Sequence, residues 1–163
     1  MKKVKYVVIL LAAGQGKRMN SSTQKQFLLI KNKPILYYSL LEFEKSIIDE
    51  IILVTSEDSI EYCKTEIIDR YGFRKVKAIV AGGKERYHSV YNGIKAIDTC
   101  DYLLIHDGAR PFINQEIILR TVDAVEKYQA CAVGMPVKDT IKIIDEREFA
   151  VETPVRDKLW MIQ

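Results

Sequence analysis

Two hydrophobic periods alternate along the chain. Val4–Leu11 is an apolar run interrupted only by Lys5 near its start, the pattern of a central parallel strand buried on both faces. Pro34–Lys45 switches to a helical repeat, with Pro34 suited to the first turn. Asp49–Ser56 (DEIILVTS) reads as a second strand. The stretch 57–72 (EDSIEYCKTEIIDRYG) reads as a helix, with Ser56 at the N-cap, Glu57 and Asp58 in the first turn and Gly72 as the stop. A third strand, 75–83 (KVKAIVAGG), ends in a glycine pair. Lys84–Ile97 follows as an amphipathic helix with Tyr87, Val90, Tyr91, Ile94 and Ile97 on one stripe. The segment 101–111 (DYLLIHDGARP) predicts a fourth strand running into a turn. Asn114–Gln129 predicts a helix with Ile118, Val122 and Val125 facing the core, and Cys131–Val137 a fifth strand. Strands separated by helices predict an α/β fold: a Rossmann-like, doubly wound, mostly parallel sheet.

The pattern changes after Pro136. The run KDTIKIIDEREFAVETPVRDKLW alternates apolar and polar residues and carries many charges, with no helical repeat. It predicts a protruding β-arm, an extended hairpin over 137–160 leaving an α/β body over 1–136.

Composition adds few constraints. At 163 residues, 48% apolar and 29% charged, the chain is ordinary for one globular domain. A net charge of +3, with cations and anions interspersed, does not suggest a nucleic-acid partner. Cys63, Cys100 and Cys131 are widely spaced and only two histidines are present, so a zinc site is not expected. The odd thiol count suits a reducing cytoplasm, and small buried hydrophobes are the expected role of all three. The start, MKKVKYVVILLAAG, shares the basic and apolar regions of a secretory leader, but the run is short and continues into motif-bearing sequence; it reads as a strand. No run approaches the length of a membrane span.

Candidate chemistry clusters at three predicted strand ends, where ligands of open α/β sheets gather. The first is AAGQGKRM, from Ala12. It matches neither the P-loop nor the dinucleotide fingerprint, since Met19 stands where the third glycine would be. What remains is a small-residue turn whose backbone N–H groups can approach phosphate, with Lys17, Arg18 and Lys25 nearby. A plain glycine-rich surface loop fits the same residues. The second end is AGGKERYHSV, where Gly82 and Gly83 permit a tight turn and Arg86, Ser89 and Gly93 share a helix edge away from the apolar stripe. Phosphate and base binding is one reading; Arg86 as an ion-pair partner and Ser89 as an ordinary helical serine is the other. The third end is HDGARP. Asp107 there suits Mg²⁺, which takes one or two carboxylates plus phosphate oxygens and water; an N-cap or an ion pair to Arg110 is the alternative. His88 reads as solvated and His106 as a hydrogen-bonded structural residue. The ensemble suits phosphoryl-type transfer, in which positioning and charge stabilisation do most of the work.

Taken in order, LAAGQGKRM…KQF, AGGKERYHSV, HDGARPF, PVKDTIK and TPVRDKLWMIQ closely resemble the 2-C-methyl-D-erythritol 4-phosphate cytidylyltransferases of the non-mevalonate isoprenoid pathway. The resemblance spans essentially the whole chain. It implies CMP transfer from CTP to methylerythritol phosphate, releasing pyrophosphate, with Mg²⁺ held at Asp107. It further implies that Ala12, Ala13, Gly14, Gly82, Gly83 and Ser89, with Arg86 in the same motif, bind the nucleotide. Arg18 and Lys25 would stabilise the transition state, and Asp107, Gly108 and Arg110 would contact substrate. Thr140 and Arg156 would reach the partner's site from the arm of a homodimer. Family members run on past Gln163 through a TPQ segment, so the sequence reads as C-terminally truncated relative to them. The sister ribitol-5-phosphate cytidylyltransferases share the chemistry, but AAG, HSV and VKDT favour the methylerythritol enzymes. A non-catalytic nucleotide-binding fragment is the reading from another class.

Overall fold

A computed structural model describes residues 3–14 and 23–162. The chain divides into two compact units, residues 1–119 and 120–163. In the first, Tyr6–Ala12 forms β1. A small ribbon follows, β2 (Leu29–Ile30) and β3 (Lys33–Pro34), then α1 (Ile35–Lys45), β4 (Glu50–Thr55) and a helix that starts as α2 (Ile60–Tyr62) and widens into a π-helix over Cys63–Asp69. Next come β5 (Val76–Ala81), α3 (Arg86–Lys95) and β6 (Tyr102–Asp107). Helix α4 (Gln115–Tyr128) leads into the second unit, which contains β7 (Gly134–Pro136), β8 (Ile143–Ile144), β9 (Ala150–Glu152) and β10 (Trp160–Ile162).

Four strands pair in the order β5-β4-β1-β6, all parallel. All seven residues of β1 are buried, as its unbroken apolar run requires of a strand covered on both faces. Val7, Ile9 and Leu11 pack with Ile52 and Val54, against Val90 and Ile97 from α3 and the turn after it. On the other face α1 buries Leu36, Leu40 and Phe43, and the Phe43 ring meets His106 at 5.3 Å between centroids. Each such side chain contributes roughly 1.5–3 kcal/mol relative to exposure. Helices on both faces and right-handed βαβ crossovers are what parallel pairing demands. The doubly wound, mostly parallel α/β fold is therefore present, Rossmann-like in arrangement.

Helix α3 differs from its predicted orientation. Tyr87 and Tyr91 are 67% and 59% exposed, whereas Ser89 is 5% exposed and Gly93 is buried. Close approach decides this. A Cβ on Gly93 would lie 2.9 Å from Ile9 Cγ2, so at that position the helix can approach β1 only through a glycine. Pattern reading weighted the larger side chains. The predicted fifth strand differs too: Gly134–Pro136 pairs antiparallel with Trp160–Ile162 in a separate ribbon, a register that Met135–Met161 pairing fixes. In the same unit β8 and β9 form the antiparallel hairpin expected of the arm sequence. Of the cysteines, Cys63 is buried, as expected, but Cys100 and Cys131 are exposed. Ser56 caps no helix with its side chain; its hydroxyl donates to Ser59 Oγ at 2.8 Å. Among the described residues no helix is long and apolar enough to cross a membrane.

The amino end of the sheet is tied by charge. The Asp49 carboxylate accepts from the Lys3 ammonium and from the Tyr6 backbone N–H at 3.0 Å. Burial pushes its pKa up, but these donors outweigh burial and the net shift is downward. A carboxyl whose folded pKa is depressed stabilises the fold above its unfolded pKa, and that stability is lost as pH falls through the folded value. Replacing Asp49 with Asn should therefore lower unfolding stability at pH 7, with the gap to the parent closing as pH drops below about 4. Urea unfolding of both proteins at neutral and acid pH checks this; a gap that does not change with pH would refute it.

Candidate active site

The parallel register sets the carboxyl ends of the strands side by side. Ala12 pairs with Thr55, Thr55 with Ala81, and Leu11 with Asp107. The loops leaving these strands are then joined by hydrogen bonds. Gly82 N donates to Thr55 O at 2.7 Å, and Gly108 N donates to Leu11 O at 2.7 Å. Thr55 Oγ1 donates to Ala12 O at 3.5 Å. Gly83 N donates to Ser89 Oγ at 3.0 Å, which fixes the glycine turn to the first turn of α3. The helix start is closed by a capping box between Glu85 and His88, so the exposed His88 has a structural role.

Gly82 is required by contact rather than by backbone angle. A Cβ there would lie 2.5 Å from Ala13 Cβ and 2.9 Å from Ser89 Oγ. Ala13, Gly82 and Ser89 thus meet at one point, with Ala12 and Gly14 flanking on the β1 side. Gly14 is exposed, and a Cβ added to it would meet nothing within 4 Å. This half of the site therefore consists of backbone and small side chains.

The other half is charged. Asp107, the last residue of β6, receives Arg86 Nε and Nη2 on Oδ1 at 3.2 and 3.0 Å, and Arg110 Nε on Oδ2 at 3.1 Å. Burial alone would raise the pKa of Asp107, but Arg86 first and then Arg110 bring it below the ordinary value. The ion-pair readings of Arg86 and of Asp107 with Arg110 are thus both what the structure shows. The next residue back, His106, is a structural group. Its Nε2 lies 3.1 Å from Arg110 O, and burial lowers its pKa. Ser39, buried in α1, donates to Arg110 O at 3.1 Å, steadying the turn that carries the arginine.

Lys25 is exposed on a single 3-10 turn, Lys25–Phe27. That turn is attached to the sheet by Gln26, whose amide donates to Ala12 O, and by Phe27, whose ring meets Tyr62 edge-on at 5.1 Å. Arg18 and Lys17 lie outside the described residues. Thr140 and Arg156 lie in the second unit, where they line an open cavity of about 430 Å³ with Ile141, Thr153, Pro154, Val155 and Asp157. Arg156 Nη1 donates to Lys138 O at 3.3 Å.

Sequence reasoning missed Gln26 and Thr55. Gln26 stood inside the KQF motif and is 2% exposed, but a lone glutamine beside a lysine carries no periodic signal of burial. Thr55 was visible only as the residue before the last of the predicted strand Asp49–Ser56. Cys63 supports it from behind: its thiol lies 3.7 Å from Thr55 Oγ1, and burial pushes the thiol pKa up to about 11, so it is inert at neutral pH.

The packing at Gly82 generates a direct test. Gly82→Ala should destabilise the protein by about 1–3 kcal/mol, because Ala13 and Ser89 are themselves held by the sheet and by Gly83. It should also weaken any ligand bound at the Ala12–Gly14 turn. Urea unfolding together with nucleotide titration checks this; a neutral substitution in both would show that the junction is loose.

The sequence and the fold are similar to those of one family of known proteins. The family model for 2-C-methyl-D-erythritol 4-phosphate cytidylyltransferase, IspD, matches residues 6–163. The protein of that name from Clostridium botulinum (strain Langeland / NCTC 10281 / Type F) is 56% identical over 158 residues, covering 96% of this chain and 69% of the relative. The one from Alkaliphilus metalliredigens (strain QYMF) is 49% identical over 161 residues, covering 98% of this chain and 67% of the relative. The crystal structure of 4-diphosphocytidyl-2C-methyl-D-erythritol synthase from Anaerococcus prevotii DSM 20548 superposes with a TM-score of 0.85 at 33% identity, over 98% of this chain and 67% of that one. On the strength of that match across nearly every residue, the chain belongs to the 2-C-methyl-D-erythritol 4-phosphate cytidylyltransferase (IspD) family.

Proposed function

We propose that this chain transfers CMP from CTP to 2-C-methyl-D-erythritol 4-phosphate, giving 4-diphosphocytidyl-2-C-methyl-D-erythritol and pyrophosphate, in the cytoplasm. The observation that carries the reading is the family match over residues 6–163. The site geometry supports it. In this reaction a phosphate oxygen of the acceptor attacks the α-phosphorus of CTP, the new P–O bond forms, and the bond to pyrophosphate breaks. Negative charge develops on the non-bridging oxygens and the leaving group. Fixed donors in a partly dry cleft stabilise that charge better than water does.

Each residue then has a task. Backbone N–H groups of Ala12, Ala13 and Gly14 cradle phosphate, and Gly82, Gly83 and Ser89 hold the nucleoside. Lys25, with Arg18, offsets the charge of the transition state. Asp107 with Gly108 and Arg110 faces the acceptor. Arg86, which holds Asp107, follows the glycine turn by three residues and would serve the nucleotide as well.

Mg²⁺ fits the donor set at Asp107 as a metal held mostly by substrate. A carboxylate offers about four lone-pair positions, and three arginine N–H groups use three of them. One remains for a cation, and a single carboxylate plus phosphate oxygens and water is an ordinary Mg²⁺ set. Among the described residues no cluster of three His, Cys, Asp or Glu side chains exists to hold a metal by protein alone. When bound, the ion would neutralise phosphate charge and help pyrophosphate to leave.

The arm supports a homodimer. Ile141, Ile143, Ile144, Phe149, Val151 and Val155 are all exposed on a hairpin that has too few strands to bury them. A two-fold exchange of arms would cover them and bring Thr140 and Arg156 to the neighbour's site, where Arg156 can grip a phosphate with two N–H groups.

Two experiments test the reading. Lys25→Ala and Arg18→Ala should each lower kcat for CTP and methylerythritol phosphate by roughly a hundredfold or more. A rise in KM alone would make them ground-state binders. Mixing Lys25→Ala with Arg156→Ala and allowing subunits to exchange should restore activity, because the mixed dimer holds one intact site. Demonstrated exchange without recovery would refute the shared site.

A further inference from the structure

The turn that carries Lys25 has few restraints of its own. It is three residues long, closed by Phe27 N on Gln24 O at 2.9 Å and Leu28 N on Lys25 O at 3.3 Å. Among the described residues its ring contact is Phe27 against Tyr62. Such a turn would not by itself hold a lysine to the precision that transition-state stabilisation needs. Yet the residue beside Lys25 is among the most buried polar groups of the protein. Gln26 is 2% exposed, and its side-chain NH₂ is spent on two acceptors: Ala12 O at 2.5 Å and Gln24 Oε1 at 2.6 Å. Gln24 Nε2 in turn donates to Ser56 Oγ at 3.3 Å, and Ser56 to Ser59 at 2.8 Å. A buried amide is tolerated only when its hydrogen bonds are made, and these run from the last residue of β1 through the lysine turn to the loop after β4.

We propose that Gln26 is a positioning residue. Its buried amide registers the Lys25 turn against the Ala12 carbonyl, and so fixes the Lys25 ammonium relative to the backbone cradle that begins at Ala13. The role rests on the cytidylyl-transfer reading for its consequence in catalysis, but the anchoring itself does not. The side-chain chemistry is selective. Two N–H groups from one atom serve two acceptors. Glutamate has no donor at neutral pH and would set a carboxylate against two acceptor oxygens. Methionine keeps length and volume but not the bonds. Asparagine is one methylene short.

Two measurements in the full chain decide it. Trypsin cuts after Lys25, and mass spectrometry reads that cut separately from all others. Gln26→Met should speed it about tenfold or more while the unfolding midpoint stays well above the assay temperature; an unchanged rate at Lys25 overturns the anchor. For turnover, Gln26→Met should lower kcat about 10- to 100-fold with KM for CTP within about twofold of the parent. The double variant Lys25→Ala/Gln26→Met should then be no slower than Lys25→Ala alone, since a residue acting through Lys25 has nothing left to position. Penalties that multiply would mean that Gln26 is merely structural, and a parent-like kcat in Gln26→Met would also overturn the role. If Gln26→Met does not fold, Gln26→Asn carries the same comparisons. If Lys25→Ala loses no activity, the catalytic reading of Lys25 fails, and the trypsin result still judges the anchor.

Discussion

Parallel pairing of β1 with β4 on one edge and β6 on the other is the interaction from which the site follows. Every residue of β1 is buried, and the strand keeps one parallel register with each neighbour. The register sets Ala12 beside Thr55 and Leu11 beside Asp107. Because all four strands run the same way, their carboxyl ends open on one side, and the loops that leave them meet. In an antiparallel sheet the same residues would be divided between two ends. The hydrophobic effect thus acts on function at one remove: it fixes β1, and β1 fixes the relative positions of a backbone cradle, a carboxylate and a lysine turn.

Small residues at the junctions are the corollary. Gly93 lets α3 approach Ile9, and Gly82 leaves room for Ala13 and Ser89. With α3 seated at that distance, its first residue, Arg86, is within reach of Asp107. A bulkier residue at 93 would lift the helix and with it the arginine. The apolar face of α3 that looked most suited to burial, Tyr87 and Tyr91, is turned outward for the same reason.

Much of this was legible in the sequence because it depends on local pattern. The apolar run at Val4–Leu11, broken only by Lys5, matched a strand buried on both faces, and the alternation of helix and strand that followed pointed to the sheet. The strand-end motifs were legible because glycine, cations and a carboxylate recur where such sheets bind ligands, and together they resembled one family. What was hidden depended on packing between distant segments. Periodicity could not tell that Ser89 and Gly93, rather than the tyrosines, face the sheet, since that is decided by the distance to Ile9. Nor could it tell that Cys131–Val137 ends in a short ribbon with Trp160–Ile162, because the partner is more than 20 residues away in sequence. Gln26 was hidden for a related reason: its burial comes from Ala12, which no local window connects to it.

The charges show how a half-buried carboxylate is kept useful. Burial alone would raise the pKa of Asp107 at the end of β6, because it penalises the charge. Arg86 and Arg110 reverse that shift, and since both arginines are partly exposed they hold it without closing the cleft. One carboxylate between two guanidiniums leaves the group one positive charge in excess. Such an excess attracts anions. The glycine turn beside it is neutral, and its N–H groups are spent on Thr55 O and Ser89 Oγ. The cleft is thus divided into a charged half and a neutral half of backbone and small side chains, and only the first can draw an anion from a distance.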